Sequence, residues 1–264
     1  MRRILMIYFF VLYSLNDTAQ PRIYSPTNAH SHNDYENPRP FHAAYEHAFG
    51  SIEADIFLLD GKLFVAHDEH ELKLRRTLED LYLRPLDSVL QAHNEHAYAD
   101  TKQSLQILID VKTEAKATLA KLIEILRNHP TLINTPSLRW VISGNRPPQN
   151  EFASYPPFIL FDGVMSQSYE APALQKIAMM SDNFKSYSSW NGLGALPETD
   201  KSTLEEIIGK WHSRHIPVRF WNAPDQPEAW TWFIRLKSDF INTDHIPELA
   251  TFLNASGGKG NERW

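Results

Sequence analysis

Between His32 and His67 the chain sets two histidines and two carboxylates in one short stretch: His32-Asn33-Asp34-Tyr35, then Ser51-Ile52-Glu53-Ala54-Asp55, then Asp60-Gly61 and Leu63-Phe64-Val65-Ala66-His67-Asp68. On a strand, the side-chain period of two puts Glu53 and Asp55 on one face. Hard cations such as Mg²⁺ and Ca²⁺ bind paired carboxylate oxygens of that kind. A histidine on each side can take or give a proton near pH 7. Metal-assisted phosphoryl chemistry is what this set of residues can do.

A third carboxylate strengthens the case. Asp110 ends the apolar run Leu105-Gln106-Ile107-Leu108-Ile109, where a buried aspartate needs a partner or a metal. Glu53, Asp55 and Asp110 on adjacent strands make a hard-cation cage. Lys112 shares the face of Asp110 and could meet a phosphate oxygen, or else form a salt bridge to Asp110 or Glu53. Asp68 is placed to orient the ring of His67. Most of the other histidines, among them His42, His47, His93, His129, His212 and His215, fall in helical or turn sequence where no chemical role is expected. His30-Ser31-His32 with Asp244 raises a rival reading, a metal-dependent amidohydrolase-like site built on His30 and His32. Such sites need further histidines at the ends of middle strands. The segments 158–162 and 184–188 supply none.

These residues need a scaffold that brings them together. Eight short segments rich in apolar, β-branched and aromatic residues read as buried strands: 27–34, 51–59, 105–112, 138–143, 158–162, 184–188, 218–221 and 240–244. Helical patterns lie between them at 41–49 (with Gly50 as C-cap), 77–93, 113–128 (with Thr113 as N-cap), 171–180, 203–215, 228–236 and 246–254. Strand alternating with helix predicts parallel strands with crossover helices, closed as a (β/α)₈ TIM barrel. An open doubly wound sheet would carry a Gly-rich phosphate turn after the first strand, and none is present. In a barrel, His32, Glu53, Asp55, His67, Asp110, Lys112, Trp221 and Asp244 converge on the rim at the carboxyl ends of the strands.

Composition sets the outer bounds. The chain has 264 residues, 42% hydrophobic, which suits one α/β barrel domain, expected over residues 20–264. A net charge of −6 offers no basic field for nucleic acid. The N-terminus has a basic Arg2-Arg3, a 12-residue apolar run and Ala19, and reads as a secretory signal peptide over residues 1–19. The run is short for a bilayer span, which needs about 20 residues; an uncleaved anchor is the alternative. A secreted or periplasmic protein is therefore expected. There is no cysteine, so disulfides and cysteine lipidation are excluded.

The order His32-Asn33, Glu53-x-Asp55, His67-Asp68 and Asp110-x-Lys112 resembles the glycerophosphodiester phosphodiesterase and phosphatidylinositol-phospholipase-C-like superfamily. Within it the chain looks most like a bacterial and fungal subgroup that carries Ser-His-Asn-Asp-Tyr and includes the fungal altered inheritance of mitochondria protein 6. The resemblance runs from about Asn28 to Phe252 and takes in Trp140–Asn145, Phe161-Asp162-Gly163, Val218–Trp221 and Ile241–Asp244. It implies His32 and His67 as the general acid/base pair, Glu53, Asp55 and Asp110 as Mg²⁺ or Ca²⁺ ligands, and Lys112 as a phosphate contact. The expected substrate is a small-molecule or lipid-head-group phosphodiester, with a membrane surface as a possible place of action and a monomer as the working unit. The family's usual His-Arg-Gly is here His32-Asn33-Asp34, so phosphate binding would fall to the metal, Lys112, Asn33 and Arg219. Trp221 and Trp190 are candidates to line the pocket, with core packing as the other option. A barrel that binds metal or sugar phosphate without turnover is the non-enzymatic alternative.

Overall fold

The computed structural model describes residues 23–256. The signal-peptide expectation falls on residues 1–19, outside that range. Among the described residues no helix is long and apolar enough to cross a membrane.

Eight parallel strands form the sheet: β1 (Ala29–Ser31), β2 (Ser51–Leu59), β4 (Leu105–Val111), β5 (Leu138–Gly144), β6 (Ile159–Val164), β7 (Ile177–Asn183), β8 (Val218–Trp221) and β9 (Ile241–Thr243). A ninth, β3 (Lys62–Val65), pairs antiparallel with β2 through a turn at Asp60-Gly61, both left-handed, as the sequence signal required. The order β8-β7-β6-β5-β4-β2-β1-β9 nearly closes on itself. A parallel bridge from Arg219 to Phe240 links the two ends. Asp239 braces that seam, because its carboxylate accepts the Val218 backbone N–H (2.8 Å) and bonds His212 Nε2 (2.7 Å). The result is a TIM barrel in a single domain. Around it lie α1 (His42–Glu46), α2 (Arg84–Ala92), α3 (Ala115–Arg127), α4 (Pro130–Asn134), α5 (Ala171–Leu174), α6 (Glu198–His212), α7 (Pro227–Leu236) and α8 (Ile246–Ser256). The main core lies between strands and helices, where outward residues such as Ile52, Ile107, Ile109, Trp140 and Ile142 pack.

Two expected elements are corrected. The expected helix at 171–180 stops at Leu174, and β7 occupies Ile177–Asn183. The expected strand at 184–188 is a 3₁₀ turn at Phe184–Ser186 followed by loop. Ile177-Ala178-Met179-Met180 continues the helical spacing of Ala171–Leu174 and consists largely of good helix formers. Pairing overrides that propensity, since Met179 and Ser181 register on β6 and Met180 to Asn183 on β8. Two helix caps differ as well. Glu114, not Thr113, caps α3 by accepting from Lys116 and Ala117. The helix at 41–49 ends with His47 as its C-cap. Gly50 is needed instead for close approach, since a Cβ there would lie 1.9 Å from the Thr27 carbonyl oxygen.

Asp34 fastens the loop that follows β1. One carboxylate oxygen accepts the Ser31 hydroxyl (2.8 Å), and the other accepts the Phe41 backbone N–H (2.5 Å) and the Tyr82 hydroxyl (3.0 Å). Phe41 sits at φ +63°, costly for a bulky side chain, so its N–H needs this anchor. Burial pushes Asp34 up to about 6 in spite of the three donors. The folded chain thus holds this proton more tightly than the unfolded one. The stabilisation it brings is full below about pH 4 and is lost as pH rises through about 6. Asp34→Ala is expected to lower unfolding free energy by roughly 2–4 kcal/mol at about pH 4.5, and by less at about pH 7.5. Urea denaturation at both pH values checks the loss and its pH dependence.

Candidate active site in the barrel mouth

The period of two decides which side chains enter the barrel. On β2 these are Ser51, Glu53 and Asp55, and on β4 Gln106, Leu108 and Asp110; the pairing sets Glu53 beside Leu108 and Asp55 beside Asp110. At the level of Glu53, Leu108, Val141 and Met179 fill one side with apolar packing. One pleat higher, Asp55 and Asp110 stand next to each other at the mouth.

Beneath the mouth runs a hydrogen-bond chain. Gln106 Nε2 donates to Ser51 Oγ (3.0 Å), which lies 2.7 Å from His30 Nδ1. His30 Nε2 lies 2.7 Å from Glu53 Oε2. Nε2 thus lies between the Glu53 acceptor and the Arg219 guanidinium, which also bonds it, and beside that fixed charge His30 stays neutral. Burial, seconded by the Arg219 charge, pushes His30 down to about 3. Arg219 donates to Glu53 Oε2 (3.0 Å), Asn242 Oδ1 (3.1 Å) and Ser181 Oγ (3.2 Å), and Ser181 donates to Asp162 (2.8 Å). Burial alone would raise Glu53, but the His30 hydrogen bond and the Arg219 charge outweigh it and hold Glu53 well below the usual carboxylate range. Asp162, with less compensation, is pushed up to about 6 by burial.

This layer corrects two expectations. Arg219 is 3% exposed and its donors are spent on protein, so it serves as a counter-charge under the site and not as a phosphate contact. His30 has both ring nitrogens engaged, which removes it as a metal ligand and with it the amidohydrolase-like reading.

The mouth gathers most of the remaining candidates. Asp55 and Asp110 share the Lys112 ammonium, which lies 2.7 Å from Asp55 Oδ2 and also bonds Asp110 Oδ2. The salt bridge considered for Lys112 is therefore real, with Asp55 in the place of Glu53. Burial, then repulsion from Glu53 and Asp110, raises Asp55 to about 7 against the pull of Lys112. His67 lies at one edge, Nδ1 3.9 Å from Asp55 Oδ2, with the ring 53% exposed. Its backbone N–H is held by Glu71 (3.0 Å). Asp68 does not orient the ring; it caps the next turn by accepting from His70 N. His32 lies at another edge, Nδ1 2.7 Å from Asp244 Oδ1. Burial opposes charge on His32, but the Asp244 hydrogen bond and the carboxylates of Glu53 and Asp244 prevail and raise it above its ordinary value. Asn33 sits left-handed at φ +45° and meets the Tyr35 hydroxyl. Trp221 is 40% exposed at the end of β8, open to a ligand, whereas Trp190 is packed edge-on to Trp232 with its Nε1–H on the Leu193 carbonyl.

The donor set suits a divalent cation. Ligand atoms of Glu53, Asp55 and Asp110 lie within 4.8 Å of one another. Asp55 Oδ1 and Asp110 Oδ1 are buried with no hydrogen-bond partner. Room for the second oxygen comes from Gly144, at φ +67°, where a Cβ would stand 2.0 Å from Asp110 Oδ1. Sequence reasoning missed Gly144, Tyr35 and the pairing of Asp244 with His32. A glycine ending a strand and a tyrosine after a histidine both read as ordinary turn and core residues, and Asp244 was placed on the rim without a partner.

Residues 19–132 match the family model described as an AIM6-like phosphodiesterase domain. The chain is similar to the altered inheritance of mitochondria protein 6 homolog of Arthroderma benhamiae, 28% identical over 253 residues, covering 83% of this chain and 77% of that one. It is also similar to the altered inheritance of mitochondria protein 6 of Kluyveromyces lactis, 24% identical over 300 residues, covering 85% and 72%. Among solved structures it is similar in fold to a glycerophosphodiester phosphodiesterase from Parabacteroides distasonis, with a TM-score of 0.55 at 12% identity, covering 88% of this chain and 96% of that one. The resemblance drawn from the motifs is borne out at the level of superfamily and subgroup.

Two outcomes test the geometry without any assay of turnover. Asp244→Asn is expected to move the His32 titration to lower pH, because burial then faces less opposition; histidine NMR follows it. Gly144→Ala is expected to weaken Mn²⁺ binding by about 10-fold or more in calorimetry. Gly194→Ala, which bears the same left-handed strain at φ +68° but meets no atom within 4 Å, is expected to leave binding unchanged.

Proposed function

We propose that this chain, similar to the AIM6-like subgroup of the glycerophosphodiester-phosphodiesterase-like superfamily, hydrolyses a phosphodiester, using His32 and His67 for proton transfer. The observation that carries the proposal is where the two rings sit. One is beside Asp244 and feels Glu53, the other is 3.9 Å from Asp55, and so both border one carboxylate cluster. Glu53, Asp55 and Asp110 would hold a divalent cation, for which all-oxygen donors favour Mg²⁺ or Ca²⁺. When bound, the cation neutralises phosphate charge and makes an oxygen nucleophile easier to deprotonate.

The chain's own residues do the rest. Lys112 brings a positive charge to the mouth and can turn from its carboxylates to a phosphate oxygen. Asp244 holds the His32 ring so that Nε2 is left for the substrate. One histidine takes the proton from the attacking hydroxyl or water, and the other gives one to the leaving oxygen. Asn33 at the edge of the mouth and Trp221 on the β8 side are placed to meet the group beyond the phosphate, an alcohol or lipid head group. With Arg219 withdrawn into the barrel, no arginine of the motif grips phosphate, so affinity rests on the cation and Lys112. We further propose a secreted or periplasmic monomer that acts on small or membrane-borne phosphodiesters and not on nucleic acid; the charge of −6 agrees with the last point.

His32→Ala and His67→Ala are each expected to lower turnover of an aryl phosphodiester by about 10²–10⁴-fold. EDTA should abolish turnover and added Mg²⁺ or Ca²⁺ restore it. A wild-type protein that binds the cation yet turns over no member of a phosphodiester panel would favour a barrel that binds without catalysis.

A further inference from the structure

We propose that Tyr35 is a positioning residue that fixes the tautomer of His67, leaving Nε2 as the nitrogen that works on substrate. The inference rests on the assignment of His67 to proton transfer, but its central claim concerns the ring alone. The Tyr35 ring is fully buried, and its hydroxyl reaches the edge of the mouth. Three groups surround that oxygen: Asp55 Oδ2 at 2.7 Å, Asn33 Oδ1 at 2.9 Å and His67 Nδ1 at 3.3 Å.

A phenol has one hydrogen to give. Asp55 Oδ2 is the shortest contact and already accepts from the Lys112 ammonium at 2.7 Å. It is therefore an acceptor whatever happens at Oδ1, and a charge-assisted bond outcompetes one to an amide carbonyl, so the Asn33 amide turns its NH2 to the phenol oxygen. With its hydrogen on Asp55, the Tyr35 oxygen has only lone pairs left for His67. Nδ1 must then carry the ring proton and donate it. The order His67 Nδ1–H to Tyr35, and Tyr35 O–H to Asp55, sets the ring against the tautomer that neutral imidazole prefers in water, with hydrogen on Nε2. Nε2 is then left with a lone pair when the ring is neutral and with an N–H when it is charged, so the same atom takes and gives the proton. Tyr35 also ties the His67 loop to a carboxylate of the cation cluster, the kind of outer hydrogen bond that orients ligand groups.

Tyr82 offers a matched control. Its hydroxyl is also buried and bonds Asp34 (3.0 Å) and the Glu53 carbonyl (3.4 Å), but it does not reach His67. The test is ¹⁵N NMR of the His67 ring in the full chain at about pH 9, above the range in which histidines ordinarily titrate. The wild type is expected to show the Nδ1–H tautomer. Tyr35→Phe should shift the ring toward Nε2–H, while Tyr82→Phe should leave it as in the wild type. In the aryl phosphodiester assay, Tyr35→Phe should lower kcat by about 10-fold or more with KM little changed. A wild-type His67 in the Nε2–H form overturns the proposal, as does a Tyr35→Phe ring indistinguishable from wild type. The wild-type spectrum decides even if the variant folds poorly. The ring spectra stand whether or not the protein turns over a phosphodiester, so failure here and failure of the enzymatic reading are told apart.

Discussion

Repulsion among three carboxylates inside one barrel is the constraint around which the interior is built. Glu53, Asp55 and Asp110 bring oxygens within 4.8 Å of one another. At that spacing two full charges repel by about 3–4 kcal/mol at an effective dielectric near 20. Such a cluster is costly to keep ionised without positive charge close by. The sheet register makes the crowding unavoidable, because Asp55 and Asp110 are direct neighbours across β2 and β4.

The chain answers this repulsion differently at two depths. Below the mouth, Glu53 stays ionised because Arg219 and His30 are built permanently against it, and Arg219 in turn is oriented by Ser181, Asn242 and Asp162. That arrangement is closed and protein-only. At the mouth, Asp55 and Asp110 share a partly exposed lysine, Asp55 also accepts from Tyr35, and each keeps one buried oxygen with no partner. The deeper layer is complete in itself, whereas the upper one fits an added cation. The fully enclosed positions are thus structural, and the positions proposed to react lie where compensation is left open.

Legibility from sequence followed the same division. That Glu53 and Asp55 share an inward face beside Asp110 was readable because strand periodicity specifies a face. Arg219 misled, because a cation in a strand near the end of a barrel looks the same in sequence whether it points up to the solvent or sideways into a carboxylate. Asp68 misled for a similar reason: sequence adjacency to His67 outweighed the stronger local preference of an aspartate to cap the turn it begins. The segment at 177–183 misled because alanine and methionine suit a helix until a strand on each side claims their backbone.

The amino-acid sequence by itself determined the alternation of strands and helices, the barrel class, and the kinds of group available for chemistry. These depend on periodicity and side-chain type, which are local. Tertiary structure alone decided which groups meet. It put Asp244 on His32, 212 residues away, Tyr35 between Asp55 and His67, and Arg219 under Glu53, 166 residues away. Those pairings come from closure of the sheet and its register, which bring distant strand ends within hydrogen-bond reach, and hydrogen bonds act only over about 3 Å.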